Sequence, residues 1–436
     1  MKDFELHYSD KLASPWGGMS LMKKVLDKTG IKGKMLELEL PKPGSNRGFK
    51  PEEIMEAFWV SIWCGASRFA HSDYLRYDKT LTQIFGWKQA PSQSTYSRFF
   101  HKFDMKRSDS VFKELNRWFF EQWKIDNITL DVDSSVLTRY GDQQQGANKG
   151  YNPHKPGRNS HHPLMAFISE GGLVVNSWLR QGATGAASRF DDFLEETLHI
   201  LGDKKVGLFR ADSGFHSNNI FNLLENKKIN YIVSARMHKA IRLEIGASLR
   251  WIAVPGSKGI EVAEIQYQSP KWPKPRRMVV IRQSVNLNPK AVGKLFEDLP
   301  AYRYSALFTS LDLPAIEVWR LYRGRAVAEN RIKELKYDFG MDAFNLSKFF
   351  ATEAAFRSIM VAYNLMALFK HMVLQTKQHQ QLKTLRFQCF AIGAWVTKNS
   401  AKHILNLAVV QQKRAWMDGL FLNISKIPPQ YHFSNA

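Results

Sequence analysis

The sequence predicts a mixed α/β fold, flanked by helical regions and interrupted by a β-rich insertion. Three observations predict it. From Ile128 the apolar residues change from helical spacing to strand-like runs, in ITLDVDSSVL, LMAFISEGGLVVNSWL and KVGLFRAD. Helix-like segments, SRFDDFLEETLHIL and then NNIFNLLENKK, separate the later strands. The resulting order, β-β-β-helix-β-helix-β, describes a sheet with helices packed against it. Third, Met237 to Leu313 holds short strand candidates (IEVAEIQYQ, RMVVIRQ, YRYSALFTS) between Pro-rich and Lys-rich turns, and helical periodicity resumes only at Pro314.

Each region follows from its local pattern. Residues 1–123 form a helical N-terminal region, in which Pro41 to Pro51 is a Pro/Gly/Asn-rich connector and Ile54, Ala57, Phe58 and Ile62 recur at helical spacing. Within it, Pro91 to Phe103 (PSQSTYSRFFHKF) offers Ser94, Thr95, Arg98 and Lys102 as DNA-facing groups of a recognition helix. An ordinary amphipathic helix burying Tyr96, Phe99, Phe100 and Phe103 explains the same residues. Residues 124–236 are the first part of the sheet domain, with a hairpin around Glu170-Gly171-Gly172; 237–313 are the insertion; 314–370 are the second part of the domain; and 371–436 are a helical C-terminal region.

Composition narrows the partners. The 436 residues carry 62 Lys plus Arg against 40 Asp plus Glu, a formal charge of +22, with 44% hydrophobic residues. A chain this apolar builds real cores, which excludes disorder as a class. Cys64 and Cys389 are too few for a disulfide framework or a Cys-based zinc site, and fit a reducing, cytoplasmic compartment. The start, MKDFELHYSD, has no apolar core of a signal peptide, and Ser358 to Phe369 is too short to span a bilayer, so no membrane partner is expected. The charge points to nucleic acid. Ser269 to Lys294 has seven Lys/Arg and no acid, and Ala354 to Met417 has nine Lys/Arg and no acid, so both are expected to track phosphates.

Acidic residues on apolar elements of so basic a chain call for a reason. Asp131 and Asp133 lie two apart on one face of the first strand. Asp212 ends the strand VGLFRAD just before Ser213-Gly214-Phe215, where it either faces a cleft or caps a turn. In WRLYRGRAVAENRIKELKYDFG, Tyr322, Arg325, Glu329 and Lys336 fall within roughly 60° of one another on a helix. A solvent-facing Arg325–Glu329 pair accounts for part of that stripe. Three carboxylates from two strands and a helix also suit two hard divalent ions, which activate an attacking oxygen and stabilise a leaving one during phosphoryl displacement. On this reading Asp133 bridges two Mg²⁺ ions (Mn²⁺ being able to substitute), Asp212 and Glu329 hold one each, and Arg325, Lys336 and Tyr322 contact phosphates.

These residues resemble a known family, the DDE transposases of bacterial insertion sequences, with an RNase-H-like core. Tyr322, Arg325, Glu329 and Lys336 match the Y-x2-R-x3-E-x6-K signature of the cut-and-paste branch. DVDSS, then Tyr140 to Arg158 (YGDQQQGANKGYNPHKPGR), then HPL and RADSGF resemble the insertion-sequence-1380 group within it. The resemblance implies an RNase-H-like mixed five-stranded sheet carrying the catalytic and metal-binding Asp133, Asp212 and Glu329, with a β-rich insertion between the second Asp and the Glu. Asp133 matches the first acid better than Asp131, because small hydroxyl residues follow it. Lys149 and Arg210 join Tyr322, Arg325 and Lys336 as DNA- or phosphate-binding candidates. Gln145, Tyr151 and Asn152 are candidates for contact with a DNA end or for turn chemistry, and Trp251, Trp272 and Trp319 for stacking on an end base. A zinc site on His161, His162 and His216 has no supporting ligand spacing. The implied partners are double-stranded DNA, both transposon ends and target, and a second copy of the chain in the DNA complex. A catalytically silent DNA-binding regulator and a nuclease without strand transfer are the alternatives.

Overall fold

The computed structural model describes residues 5–45, 48–246, 249–285, 301–376, 380–400 and 402–432. After β1 (Ala13–Ser14) the N-terminal region is helical: α1 (Met19–Thr29), α2 (Ile31–Glu37), α3 (Pro51–Trp63), α4 (Lys79–Phe85), α5 (Gln93–Phe100) and α6 (Met105–Glu121). Local chemistry sets their starts. Pro51 opens α3 with Glu52 and Glu53 in the first turn, and Asp78, Ser92 and Asp104 cap α4, α5 and α6 by accepting backbone N–H groups. On α5, Tyr96, Phe99 and Phe100 are buried while Ser94 and Arg98 remain exposed, as does Lys102 just beyond its end.

Next come β2 (Trp123–Lys124), β3 (Ile128–Ser134), β4 (Leu137–Thr138), β5 (Asn148–Lys149), β6 (Asn159–His161), β7 (Leu164–Ile168) and β8 (Leu173–Trp178). Then α7 (Phe190–Leu201), β9 (Val206–Ala211), α8 (Asn218–Asn226) and β10 (Asn230–Ser234) complete the predicted alternation. The insertion supplies α9 (Lys239–Gly246), β11 (Ile252–Ala253), β12 (Ile260–Tyr267), β13 (Arg276–Val285) and β14 (Ala301–Thr309).

These strands make one nine-stranded sheet in the order β11-β12-β13-β14-β10-β9-β3-β7-β8. The last five are the five predicted for the central domain. β3 pairs antiparallel with β7 and parallel with β9, and β9 pairs parallel with β10. The sheet does not stop at five strands, however. β14 pairs antiparallel with β10, Val233 opposite Phe308, so the insertion extends the sheet from its β10 edge. The physical reason is that an uncovered β10 edge would leave buried backbone groups unpaired.

The remaining helices are α10 (Ala315–Arg323), α11 (Ala326–Tyr337), α12 (Phe349–Leu368), α13 (Leu382–Leu385) and α14 (Gln411–Ser425), with strands β15 (Ala394–Asn399), β16 (Lys402–Leu407) and β17 (Tyr431–His432). The C-terminal region is therefore not wholly helical, a correction to the sequence reading. β15 and β16 form a hairpin that pairs with β1 at the other end of the chain. AWVTKN and KHILNL are short and carry β-branched residues around a turn in which Ser400 takes a positive φ of 51°.

α12 is buried along nearly its whole length. It receives Trp59 Nε1 on Ser358 Oγ at 2.9 Å and Trp63 Nε1 on the Ala362 carbonyl at 3.2 Å, which locks α3 across it. On its other side Asn364 treats the edge strand β8 as a further strand would. Its Oδ1 accepts the Val174 N–H and its Nδ2 donates to the Val174 carbonyl, both at 2.8 Å. Leucine at 364 would strand both backbone groups in a dry interface. Asn364→Leu is expected to lower unfolding free energy by about 2–4 kcal/mol; an unchanged denaturant midpoint would contradict this account.

Candidate active site

Strand register builds one wall of the site. Asp131 stands opposite Arg210 and Val132 opposite Ala211 across the parallel β3–β9 pair. The next positions on the same face, Asp133 and Asp212, leave the carboxyl ends of these two neighbouring strands side by side. Asp133 is 7% exposed; its Oδ1 accepts the Ser134 N–H at 2.9 Å and pairs with Arg325 Nη2 at 3.0 Å. Asp212 is half-buried and caps the Ser213–Phe215 turn, Oδ1 accepting the Gly214 N–H at 2.8 Å. The turn-capping reading of Asp212 is thus met, and its charge also acts on Asp133 and Arg325.

The opposite wall comes from α10 and α11. The single helix predicted there is broken at Gly324–Arg325, although both residues keep right-handed helical angles. Its hydrogen bonds tighten from four-residue to three-residue spacing: Gly324 N to Leu321 O (3.2 Å), Arg325 N to Tyr322 O (3.0 Å) and Ala328 N to Arg325 O (2.9 Å). The stripe survives the break. Arg325 bridges Asp133 and Glu329, with Nη1 at 3.2 Å from Glu329 Oε1. Glu329 keeps its side chain 55% exposed. Lys336 Nζ donates to the Val136 carbonyl at 3.1 Å, just beyond β3.

Electrostatics couples these groups. Burial pushes the Asp133 carboxyl up to about 7; Arg325 pulls it down, while Asp212 and Glu329 push it further up. Burial opposes the Arg325 charge, but Asp133, Tyr322, Asp212 and Glu329 outweigh it and hold the guanidinium above its ordinary range. Burial raises the Tyr322 hydroxyl, against a charge effect from Arg325 and a hydrogen bond to Ser234. Burial likewise lowers the Lys336 ammonium, opposed by Asp342 and Asp133. The donor set is carboxylate oxygen throughout, which suits hard divalent ions. Arg325 Nε is buried without a partner, leaving polar capacity in the site. Among the described residues, no three His, Cys, Asp or Glu side chains come together closely enough to hold one ion.

A family model described as "Transposase DDE domain group 1" matches residues 8–429. The chain belongs to this transposase DDE-domain family. No curated protein matches the sequence. Among solved structures, a cryo-EM structure of the piggyBac transposase synaptic complex with hairpin DNA is similar over 86% of this chain and 79% of that one, at 12% identity and a TM-score of 0.46. No helix among the described residues is long and apolar enough to cross a membrane.

Several expectations about individual residues change. Arg210 is 4% exposed and fully engaged in the interior. It donates Nε and Nη2 to the Asp131 carboxylate at 2.6 and 2.7 Å, Nη2 to Ser169 Oγ at 2.8 Å, and Nη1 to the Leu321 carbonyl. It is not a phosphate contact, because burial and internal acceptors leave it nothing to offer DNA. Asp131, fully buried, is thereby distinguished from Asp133. Lys149 and Tyr151 are exposed on the Gly-rich loop, whereas Asn152 is buried and bonded to Thr138 Oγ1 at 3.0 Å. That loop is pinned by a buried chain: Arg139 Nε donates to His161 Nδ1 (3.0 Å), so the His161 Nε2–H faces the Gln145 carbonyl (3.1 Å). Burial, reinforced by Arg139, pushes His161 down to about 4. His216 accepts the Arg236 N–H on Nδ1 at 3.0 Å and stacks on Phe308, and Trp319 is a core residue, 8% exposed with Arg323 stacked 4.9 Å from its ring.

The basic stretches divide. In the insertion, Lys274 and Arg276 pair with Glu225, Arg277 with Glu264, and Arg282 with Glu261 between Trp251 and Tyr302. These four cations are in ion pairs, Lys271 is exposed, and Lys290 and Lys294 lie outside the described residues. In the C-terminal stretch Arg357, Lys370 and Arg386 are also structural, with Lys377 outside the described residues. Lys383, Lys398, Lys402, Lys413 and Arg414 are exposed.

Sequence reasoning missed Ser234, the Asp131–Arg210 pair, and Arg331, which donates to the Ile168 and Ser169 carbonyls at 3.2 and 2.7 Å and ties α11 to the end of β7. Only Gly324 left a trace, as a glycine inside an otherwise helical run.

The raised Asp133 carboxyl has a sign. Between the ordinary value and about 7 the folded protein holds a proton that the unfolded chain has lost, so stability falls as pH rises through that window and is level above it. Asp133→Asn removes this burden. In metal-free buffer its melting-temperature advantage over the parent is expected to grow from pH 4 to pH 7 and then level off. An advantage that shrinks with pH would contradict the burial.

Proposed function

We propose that this DDE-family chain is the transposase of a bacterial insertion sequence, of the insertion-sequence-1380 group, acting in the cytoplasm on its own terminal inverted repeats. It cleaves the DNA ends by metal-assisted hydrolysis and joins the freed 3′-OH ends to target DNA, with an RNase-H-like domain as its catalytic core. The observation that carries this reading is the Arg325 guanidinium paired with both Asp133, at the end of β3, and Glu329, on the facing helix, with Asp212 at the end of the neighbouring parallel strand β9. Ordinary packing seldom buries a carboxylate such as Asp133 at a strand end beside a second one, and carboxyl ends of strands are where open α/β sheets place their sites.

In this reading Asp133, Asp212 and Glu329 would hold two Mg²⁺ ions, Mn²⁺ being able to substitute. When bound, the ions activate the attacking oxygen and stabilise the leaving one during in-line displacement. The chain's own groups do the rest. Arg325 and Lys336 draw the scissile phosphate to the carboxylates, and Tyr322 orients it by hydrogen bonding or stacking. Lys149, on its exposed loop, and the exposed cations of the C-terminal region follow the DNA backbone. Residues 1–123 are the DNA-binding region, with α5 as its recognition helix. Two copies bring two ends together, one site acting on each end.

The experiment combines labelled element ends, a target plasmid and Mg²⁺. Joined product is expected; cleavage without joining would indicate a nuclease, and binding alone a regulator. Asp133→Ala, Asp212→Ala and Glu329→Ala should each abolish cleavage while keeping end binding, and normal activity in any one removes that residue from the assignment. Cleavage that persists in EDTA, or runs equally well in Ca²⁺, would sink the metal mechanism.

A further inference from the structure

We infer that the buried Asp131–Arg210 pair is a positioning device for the reaction, setting the helix that carries Arg325 and Glu329 against the strands that carry Asp133 and Asp212. This rests on the reading of those three carboxylates as the catalytic acids.

The pair lies one rung below the acids. Asp131 is fully buried and Arg210 nearly so, and they face each other across β3 and β9 in the register that brings Asp133 and Asp212 together on the same face. A buried ion pair is poor value for stability alone, since desolvation offsets most of its attraction and apolar residues of similar volume often do as well. What this pair adds is geometry. Asp131 grips the fork of Arg210 with both oxygens and so aims Nη1 at the Leu321 carbonyl. One guanidinium thereby joins β3, β9, the end of β7 through Ser169 Oγ, and the end of α10.

Leu321 is where the helix changes course. Its carbonyl does not accept from Arg325 as in a regular α-helix; it is shared by Gly324 N and Arg210 Nη1, while Arg325 N turns to Tyr322 O. That shift precedes the turn from which Arg325 reaches Asp133 and Glu329. Gly324 serves the same contact. Its backbone angles are ordinary, φ −57° and ψ −21°, so conformation does not demand glycine. Space does: a Cβ there would sit 2.6 Å from Arg210 Nη1. Arg331 and Lys336 tie the body of α11 to Ile168, Ser169 and Val136 carbonyls, whereas Arg210 holds the main chain at the break, through the Leu321 carbonyl.

Three variants of the full chain test the assignment, alongside the alanine variants of the acids on the same DNA ends. Arg210→Lys keeps the charge but not the fork; Gly324→Ala leaves the ion pair but pushes Nη1 off Leu321; and the double variant Asp131→Leu with Arg210→Leu replaces the pair by apolar volume. Each is expected to bind labelled ends as the parent does and to cleave at saturating DNA about 10- to 100-fold more slowly, the usual cost of losing a group that orients ligands. Mn²⁺ binding, followed by the free-ion EPR signal, should weaken over the same range in Arg210→Lys and Gly324→Ala. The double variant should melt at or above the parent temperature yet remain slow. If instead it cleaves at the parental rate, the pair is structural and the inference is wrong. If the double variant does not fold, parental cleavage by both single variants overturns it. Should the alanine variants of the acids cleave normally, the site assignment fails rather than this one.

Discussion

The parallel pairing of β3 with β9 is the constraint on which the site depends. Its register puts an attractive pair, Asp131 and Arg210, one rung below a repulsive pair, Asp133 and Asp212. The lower pair is buried and charge-balanced, so it stabilises the register; the upper pair sits at the strand ends, where Arg325 compensates it from the facing helix. A one-residue slip of either strand would send its own two of these side chains to the other face of the sheet.

Around that register the chain spends much of its positive charge on its own carbonyls and carboxylates. Arg139, Arg180, Arg210, Arg331 and Arg386 are all anchored by main-chain oxygens or buried partners, and each fastens a loop or helix end near the sheet. Arginine suits this because its planar fork satisfies several acceptors at fixed angles. The consequence for DNA binding is that the +22 of the sequence overstates the free cationic surface. In the insertion Lys274, Arg276, Arg277 and Arg282 are in ion pairs, whereas Lys239, Arg242, Arg250, Lys258, Lys271 and Arg303 are exposed. The exposed lysines around β15–β16 and α14 add to these.

The sheet shows the same division between local and distant causes. The strands of the insertion were legible, because alternation over eight or so residues is a local property. Their attachment was not: β14 pairs with β10 only because the β10 edge must be covered, and no pattern within either strand says so. The β15–β16 hairpin escaped for a related reason, its short amphipathic strands being completed by β1 from the far end of the chain. Within its own helix Asn364 is only a polar gap in an apolar run; its purpose, pairing with the edge of β8, lies 190 residues away.

The sequence by itself determined which acids share a face and which helical groups share a stripe. Periods of two and of 3.6 residues are set by the backbone, so Asp133, the end position of Asp212, and the Tyr322–Arg325–Glu329–Lys336 stripe could be read without a structure. Only the tertiary structure gave Asp131 and Asp133 different surroundings, and buried Arg210 against Asp131. The reason is physical: a carboxylate two residues from another is chemically identical to it until burial and a partner distinguish them. The partners that do so, Arg210 for Asp131 and Arg325 for Asp133, arrive from other elements of the fold.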